Sequence, residues 1–251
     1  MKAKRLGPRF DPLAARCFET VFLPMRRMLL GGLHVLNLPG ALPPGRPVLL
    51  VGNHISNWDG FLFREVQRRI APSWPIYSVM LETELRRRPL FRRLGGIGID
   101  PAAPASVAAA FRAARALRGK GSDFVFSYFP QGRILPAARR PLGFLAGIDL
   151  FARALAPATV IPAGIHLEAM RKLRPAFFVS LGRPFKIDRP SPLHAILESL
   201  VVNELDRIQS LLPDWDDAPS AGIPAGRAGE AAGLETAPAA GAGAGRGAAP
   251  S

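Results

Sequence analysis

The stretch 48-VLLVGNHISNWDGFLFREVQRRI-70 holds an apolar run, a polar turn and a segment with the period of a helix. Val48-Leu49-Leu50-Val51 is short and apolar and reads as a strand. In 59–70, Leu62, Phe63, Val66 and Ile70 fall on one side of a helix, with Arg64 and Arg68 on the other. This predicts an amphipathic helix whose basic face, Arg64, Arg68 and Arg69, is solvated. Between strand and helix, Ser56-Asn57-Trp58-Asp59 has the form of a capping box, a serine followed three residues later by an acid.

His54 and Asp59 bracket that turn. Were 54–59 wholly helical, five steps of about 100° would set the two side chains roughly 140° apart. A direct pair therefore requires a turn, with His54 in the loop after the strand and Asp59 in the first helical turn. Two readings stay open at this point. In one, Asp59 only caps the helix and His54 is a hydrogen-bonded loop residue. In the other, Asp59 accepts from one imidazole nitrogen and leaves the other as a neutral base for a hydroxyl proton. The helix N-terminus would then add a positive field that favours developing negative charge.

The alternation continues along the chain. Apolar runs at 76–80, 124–129, 159–165 and 176–181 predict strands; 81–94, 105–118, 146–156 and 193–211 predict helices. The fold class is therefore α/β: a single layered domain at 45–212, with a mostly parallel sheet flanked by helices. Ligands of such folds sit outside the carboxyl ends of strands. Residues 1–44 form an N-terminal amphipathic, membrane-associating segment. Within it, 18-FETVFLPMRRMLLGGLHVLNL-38 has two apolar runs split by Pro24, Arg26 and Arg27, too interrupted to span a bilayer. It either lies in a membrane interface or packs on the domain as a helix pair. Residues 213–251, rich in Ala, Gly and Pro, predict a disordered tail.

Composition narrows the function. With 48% hydrophobic residues the chain can bury a sizeable core. The single cysteine, Cys17, excludes an internal disulfide and a multi-cysteine metal site. His34, His54, His166 and His194 show no i,i+4 ligand pair, so neither a metal nor another cofactor is expected. A net charge of +14 suits anionic lipid, nucleic acid or an acidic protein. Only two tyrosines and three tryptophans are present, and most phenylalanines fall in core patterns, which argues against a nucleic-acid partner. Met1 to Arg16 is charged and proline-broken, without the apolar region of a secretory signal.

A second stretch, 124-FVFSYFPQGRI-134, runs from a strand into Pro130-Gln131-Gly132-Arg133, a turn suited to an exposed loop that binds an anion or a polar group. Together the two stretches resemble the glycerolipid acyltransferases, which include the 1-acylglycerol-3-phosphate acyltransferases. The resemblance rests on His54-X4-Asp59 followed by Phe129-Pro130-Gln131-Gly132. It extends to Thr83-Glu84-Leu85, Pro89-Leu90-Phe91, 95-GGIGID-100, Val160-Ile161-Pro162-Ala163 and Gly182-Arg183-Pro184, in family order over 48–186. It implies acyl transfer from acyl-coenzyme A or acyl carrier protein to a lipid hydroxyl. His54 would be the base and Asp59 its partner. Asn53, Ser56, Phe129, Pro130 and Pro162 would support the site, and Gln131, Gly132 and Arg133 would bind the acceptor or its phosphate. The Gly132 N–H is a candidate donor to the thioester oxygen, since glycine permits close approach. The protein would sit peripherally on the cytoplasmic face of a membrane.

Four positions depart from the family pattern. Gln131 stands in place of a glutamate, with Arg133 one place early; Thr83 and Pro101 stand where basic residues are usual. The expected acceptor is a lysophospholipid or glycerol phosphate, held by Arg133 or by Arg86-Arg87-Arg88. The alternative is a hydroxyl with no neighbouring phosphate, on a glycolipid or carotenoid glycoside. Further off stands a non-catalytic basic protein that binds lipid or nucleic acid.

Overall fold

The computed structural model describes residues 9–121, 123–169, 174–188, 192–213 and 215. In chain order they form α1 (Pro12–Leu29), β1 (Gly32–Leu36), β2 (Val48–Gly52), α2 (Asp59–Ile70), β3 (Ile76–Leu81), α3 (Glu82–Arg87), α4 (Leu90–Arg93) and β4 (Gly96–Ile99). Then follow α5 (Pro104–Leu117), β5 (Val125–Tyr128), α6 (Gly147–Leu155), β6 (Ala158–Glu168), β7 (Ala176–Leu181), β8 (Phe185–Ile187) and α7 (His194–Leu211).

Among the described residues the strands make one eight-stranded sheet in the order β1-β7-β6-β2-β5-β3-β4, with β8 paired to β6. Strands β6, β2, β5, β3 and β4 run parallel, while β7 and β8 run antiparallel to β6. The expected mostly parallel α/β layering is thus present. Strand β2 lies inside it and is buried at every residue. Its Val48 and Leu50 face a core shared with Leu62, Phe63, Val66 and Ile70 of α2. Leu49 and Val51 face the opposite core, with Ala114 of α5, Phe151 of α6 and Val201 of α7. Covering both faces leaves no place for a polar residue, which is why this strand lacks alternation. Each fully buried aliphatic side chain contributes about 1.5–3 kcal/mol.

Pro162 sits inside β6, where a missing N–H would ordinarily break a ladder. Its carbonyl accepts from the Gly182 N–H at 2.8 Å, so its nitrogen also faces the junction of β7 and β8. Ala163 pairs with Leu181 and Val160 with Phe185. Four steps on one side therefore oppose three on the other. Gly182-Arg183-Pro184 forms the resulting bulge, and the proline's missing donor falls at that break.

Several elements differ from the sequence reading. The helix expected over 81–94 is two pieces, α3 and α4, because the residue before Pro89 leaves the helical region: Arg88 has φ −130° and ψ 74°. Residues 18–38 are not a helix pair. Helix α1 runs through Pro24 to Leu29, and 32–36 joins the sheet as β1 beside β7. The N-terminal segment therefore contributes a strand to the domain expected to begin at 45. The basic face of α2 is not simply solvated either. Arg64 Nε donates to Glu19 of α1 at 2.8 Å, Arg68 lies 3.3 Å from the same carboxylate, and Arg64 stands over the Phe10 ring. Most of the expected tail lies outside the described residues. Trp215 does not; its indole meets His34 and Phe178, each at 4.9 Å.

Asp11 begins α1 by accepting from the Leu13 and Ala14 N–H groups, and it pairs with Arg93 at 2.7 Å. The Ala14 hydrogen bond, with Arg93, holds its carboxyl below the usual carboxylate range. The inner face of α1 carries Phe18 and Phe22, which pack with Trp58, Phe61 and Phe91. Its outer face leaves Leu13, Val21 and Met28 about two-thirds exposed or more (69%, 72% and 66%). Among the described residues no helix is long and apolar enough to cross a membrane.

Helix α7 approaches the sheet closely at Gly164. A Cβ there would stand 2.8 Å from the Leu205 nitrogen and 2.9 Å from the Glu204 carbonyl carbon, both backbone atoms. Gly164→Ala is therefore expected to lower stability by about 1–3 kcal/mol, read from the urea midpoint at an unchanged denaturant slope.

Candidate active site

The ends of β2 and β5 are neighbours, with Val51 opposite Tyr128. The turns that leave them meet above the sheet's carboxyl edge. Asn53 marks where β2 stops pairing through its backbone. Its side chain donates to the Ile165 carbonyl at 2.8 Å and accepts from the Ile165 N–H at 2.7 Å. The amide mimics a peptide group and adds one rung to the β2–β6 ladder, leaving the next residue free to turn.

That residue is His54. Its Nδ1 lies 2.7 Å from Asp59 Oδ2. Asp59 is wholly buried, and the same oxygen accepts from the N–H groups of Ile55 at 2.6 Å and Ser56 at 2.9 Å. The other oxygen accepts from the Ser56 hydroxyl at 2.5 Å. Only half of the expected capping box forms: Asp59 accepts from the Ser56 N–H, while α2 starts after Trp58 with no side-chain cap. The Ser56 hydroxyl takes the Trp58 N–H at 3.1 Å and supports the carboxylate instead of capping residue 59. A carboxylate only accepts, so Nδ1 carries the proton, and in the neutral ring Nε2 is the acceptor. No hydrogen bond within the described residues occupies Nε2, and the side chain is 25% exposed.

The imidazole is also held from below. It stacks on Phe129 at 4.7 Å with 18° between planes, and Phe129 stacks on Phe63 at 4.8 Å. The chain after β5 closes over the turn: Leu135 N–H donates to the His54 carbonyl at 2.9 Å, and the Pro130 carbonyl accepts from Leu145 at 3.0 Å. Asn53, Ser56, Phe129 and Pro130 thus gather around His54 and Asp59. Pro162 does not. It lines a cavity of about 560 Å³ with Arg183, Leu200, Glu204 and Arg207 on the α7 face, opposite the α2 face that holds Phe63 and Phe129.

The three residues expected to meet an acceptor fall in different places. Gln131 is 5% exposed and turned inward. Its Oε1 accepts from the His54 N–H at 2.5 Å, and its Nε2 donates to the Leu142 carbonyl at 3.0 Å. Gly132 is exposed at φ +66°, a left-handed conformation that suits glycine, but its N–H already donates to the Phe129 carbonyl at 3.1 Å. It is not a waiting oxyanion donor. Arg133 is exposed and has no ion pair among the described residues. The expected cationic cluster is partly offset, with four guanidiniums sharing two carboxylates: Arg86 and Arg92 pair with Glu82, and Arg87 and Arg88 with Glu84, at 2.6–3.2 Å. Pro101 lines a shallow, mostly apolar groove with Val107, Phe111 and Leu150, and Arg153 lies on the same wall.

Sequence reasoning missed Phe63 beneath the ring pair, Leu142 behind Gln131, and Tyr128. Burial pushes the Tyr128 phenol up to about 12, so it stays protonated beside Phe151. No group of His, Cys, Asp and Glu suited to a metal ion occurs among the described residues.

No family model matches the chain, and no curated protein matches it. Among solved structures it is similar to the crystal structure of the 1-acyl-sn-glycerophosphate (LPA) acyltransferase, PlsC, from Thermotoga maritima. The TM-score is 0.51 at 20% sequence identity, over 80% of this chain and 83% of that one. At this identity the likeness establishes a shared fold.

The donors around Asp59 separate its charge from its shape. In Asp59→Asn, the amide oxygen can keep the Oδ2 contacts while the NH₂ donates to a rotated Ser56 hydroxyl. Asp59→Ala strands all four donors. The expected losses are about 1–2 kcal/mol for Asn and about 3–5 kcal/mol for Ala, measured by urea denaturation.

Proposed function

We propose that the protein transfers a fatty acyl group from a thioester to the hydroxyl of a lysophospholipid, with His54 as general base. The observation that carries this is the 2.7 Å contact between His54 Nδ1 and the buried Asp59 carboxylate. It fixes the tautomer that leaves Nε2 as a proton acceptor at the sheet's carboxyl edge. In the proposed reaction, Nε2 takes the acceptor hydroxyl's proton as its oxygen attacks the thioester carbon. The imidazolium so formed faces a carboxylate already fixed in place, so little rearrangement is needed to stabilise it. Collapse of the tetrahedral intermediate breaks the C–S bond, and His54 returns its proton to the departing thiolate. Either acyl-coenzyme A or an acyl carrier protein would serve as donor.

The exposed, unpaired Arg133 beside the turn supports an anionic headgroup on the acceptor. The likeness to a protein described as an LPA acyltransferase supports the same class. Three observations favour a second reading, in which the acceptor carries no phosphate. Gln131 faces inward, the Arg86–Arg88 guanidiniums are paired, and Pro101 lies on a mostly apolar groove, which leaves Arg133 as the one cation of the expected set without a partner among the described residues.

The test is thiol release from both donor types with a panel of lysophospholipid and glycolipid acceptors. Acceptor-dependent release is expected in the wild type and a roughly 10²- to 10⁴-fold loss of kcat in His54→Ala. Equal, negligible release from both folded proteins would overturn the acyltransferase reading, and a preference for glycolipids would select the second.

The proposed lipid acceptor calls for a membrane surface, and α1 is the proposed contact, lying flat on the cytoplasmic face. Leu13, Val21, Met25, Met28 and Leu29 are exposed along it, while Phe18 and Phe22 pack on the domain. Val21→Asp combined with Met25→Asp is expected to lower co-sedimentation with anionic vesicles about tenfold or more. Thermal stability should hold, since both side chains face outward. Unchanged vesicle binding would remove α1 from the interface.

A further inference from the structure

We propose that Gln131 is a positioning residue, whose buried amide fixes the height of His54 by joining the His54 N–H to the Leu142 carbonyl, a task closed to an ionised carboxylate. The kinetic part of this proposal rests on the acyl-transfer reading; the structural part does not.

The two ends of the amide are not interchangeable. The His54 N–H can only donate and the Leu142 carbonyl can only accept, so the oxygen must face His54 and the nitrogen Leu142. Leu142 is itself anchored. The next two N–H groups, of Gly143 and Phe144, donate to the Glu198 carboxylate of α7 at 3.0 and 2.8 Å. A continuous line of contacts therefore runs from α7, through the loop after β5 and the Gln131 side chain, to the backbone of His54. The ring of His54 is aimed by Asp59 and Phe129, and its backbone by this strut.

A glutamate at 131 would keep the contact to the His54 N–H. When ionised, it would turn a second acceptor toward the Leu142 oxygen and bury a charge with no new donor. When protonated, its hydroxyl could donate as the amide does. Folding would thus raise the pKa of that glutamate. Its stabilising contribution would be whole below the ordinary glutamate pKa, about 4.3, and would be lost as pH rises through the raised value. The charged groups on the elements meeting residue 131 are His54 and Asp59 on the β2–α2 turn, Glu198 on α7, and Arg133, Arg139 and Arg140 on its own loop. None of these is a donor to its amide nitrogen's position.

The test compares wild type, Gln131→Glu and Gln131→Met, each labelled with ¹⁵N-histidine. Four histidines give four backbone amide signals, and His54→Asn identifies the one of interest. In Gln131→Met the His54 amide should shift upfield and exchange faster at every pH. In Gln131→Glu it should do so at pH 8 and return toward the wild-type position at pH 5. In turnover, Gln131→Met should lose on the order of 10- to 100-fold in kcat with KM little changed, as for a misplaced base. The kcat of Gln131→Glu, relative to wild type at each pH, should rise as pH falls. An unmoved His54 amide in Gln131→Met, or Gln131→Glu matching wild type at pH 8, would overturn the strut. If Gln131→Met does not fold, Gln131→Glu at the two pH values decides alone. Wild type without any turnover would count against acyl transfer, while the amide signals would still decide the role of Gln131.

Discussion

A carboxylate shut away from water must be surrounded by donors, and most of this site follows from how Asp59 meets that demand. Its donors come from one short piece of chain: the His54 ring, the Ile55 and Ser56 N–H groups and the Ser56 hydroxyl. Gathering them forces 54–58 to curl around the first residue of α2. The curl in turn brings an imidazole back over a helix start from which a continuous helix would have pointed it away. Side-chain placement and local folding are one constraint here, because the same four contacts satisfy the buried charge and aim the ring.

The sheet supplies the second half. Because β2 and β5 are adjacent and parallel, the turns leaving them end at the same height and interlock. Leu135 reaches back to the His54 carbonyl, Gln131 to the His54 N–H, and Phe129 lies flat under the ring. Phe63 then passes that support to the core beneath α2. Gly52 is as small as it must be, since a Cβ there would stand 2.6 Å from the Phe63 ring and 2.8 Å from the Ala163 carbonyl oxygen. An imidazole on a loop is thereby held with the rigidity of the layer below it.

Much of this is legible in the sequence, and the remainder is hidden for identifiable reasons. Residues 48–70 can be read almost to the residue, because strand, turn and helix are each specified by near neighbours. The need for a turn between His54 and Asp59 follows from angle alone. Strand β1 escapes notice because the apolar run after Arg27 suits a helix as well as a strand, and only pairing with Phe177, Phe178 and Val179 makes its second half extended. Strands β4 and β8 are four and three residues long, too short for a period to show. Gln131 misleads for a different reason. A polar residue in a Pro-Gly turn suggests a ligand, but its partners are main-chain groups of His54 and Leu142, and main-chain groups leave no mark in residue identity. Gly132 misleads likewise, since the permissive backbone that could admit a ligand serves here to close a turn.

The pairing of β1 with β7 has a further consequence, for how the protein is made. Asn37, just past β1, hydrogen-bonds Ser180 across 143 residues of chain. A ribosome delivers the N-terminus first, so α1 and β1 emerge long before the strand that receives them exists. During that interval the apolar outer stripe of α1 is accompanied by an unpaired strand. Strand β1 is thus made well before the strand that locks it into the sheet, and until then its open edge needs another surface to rest on.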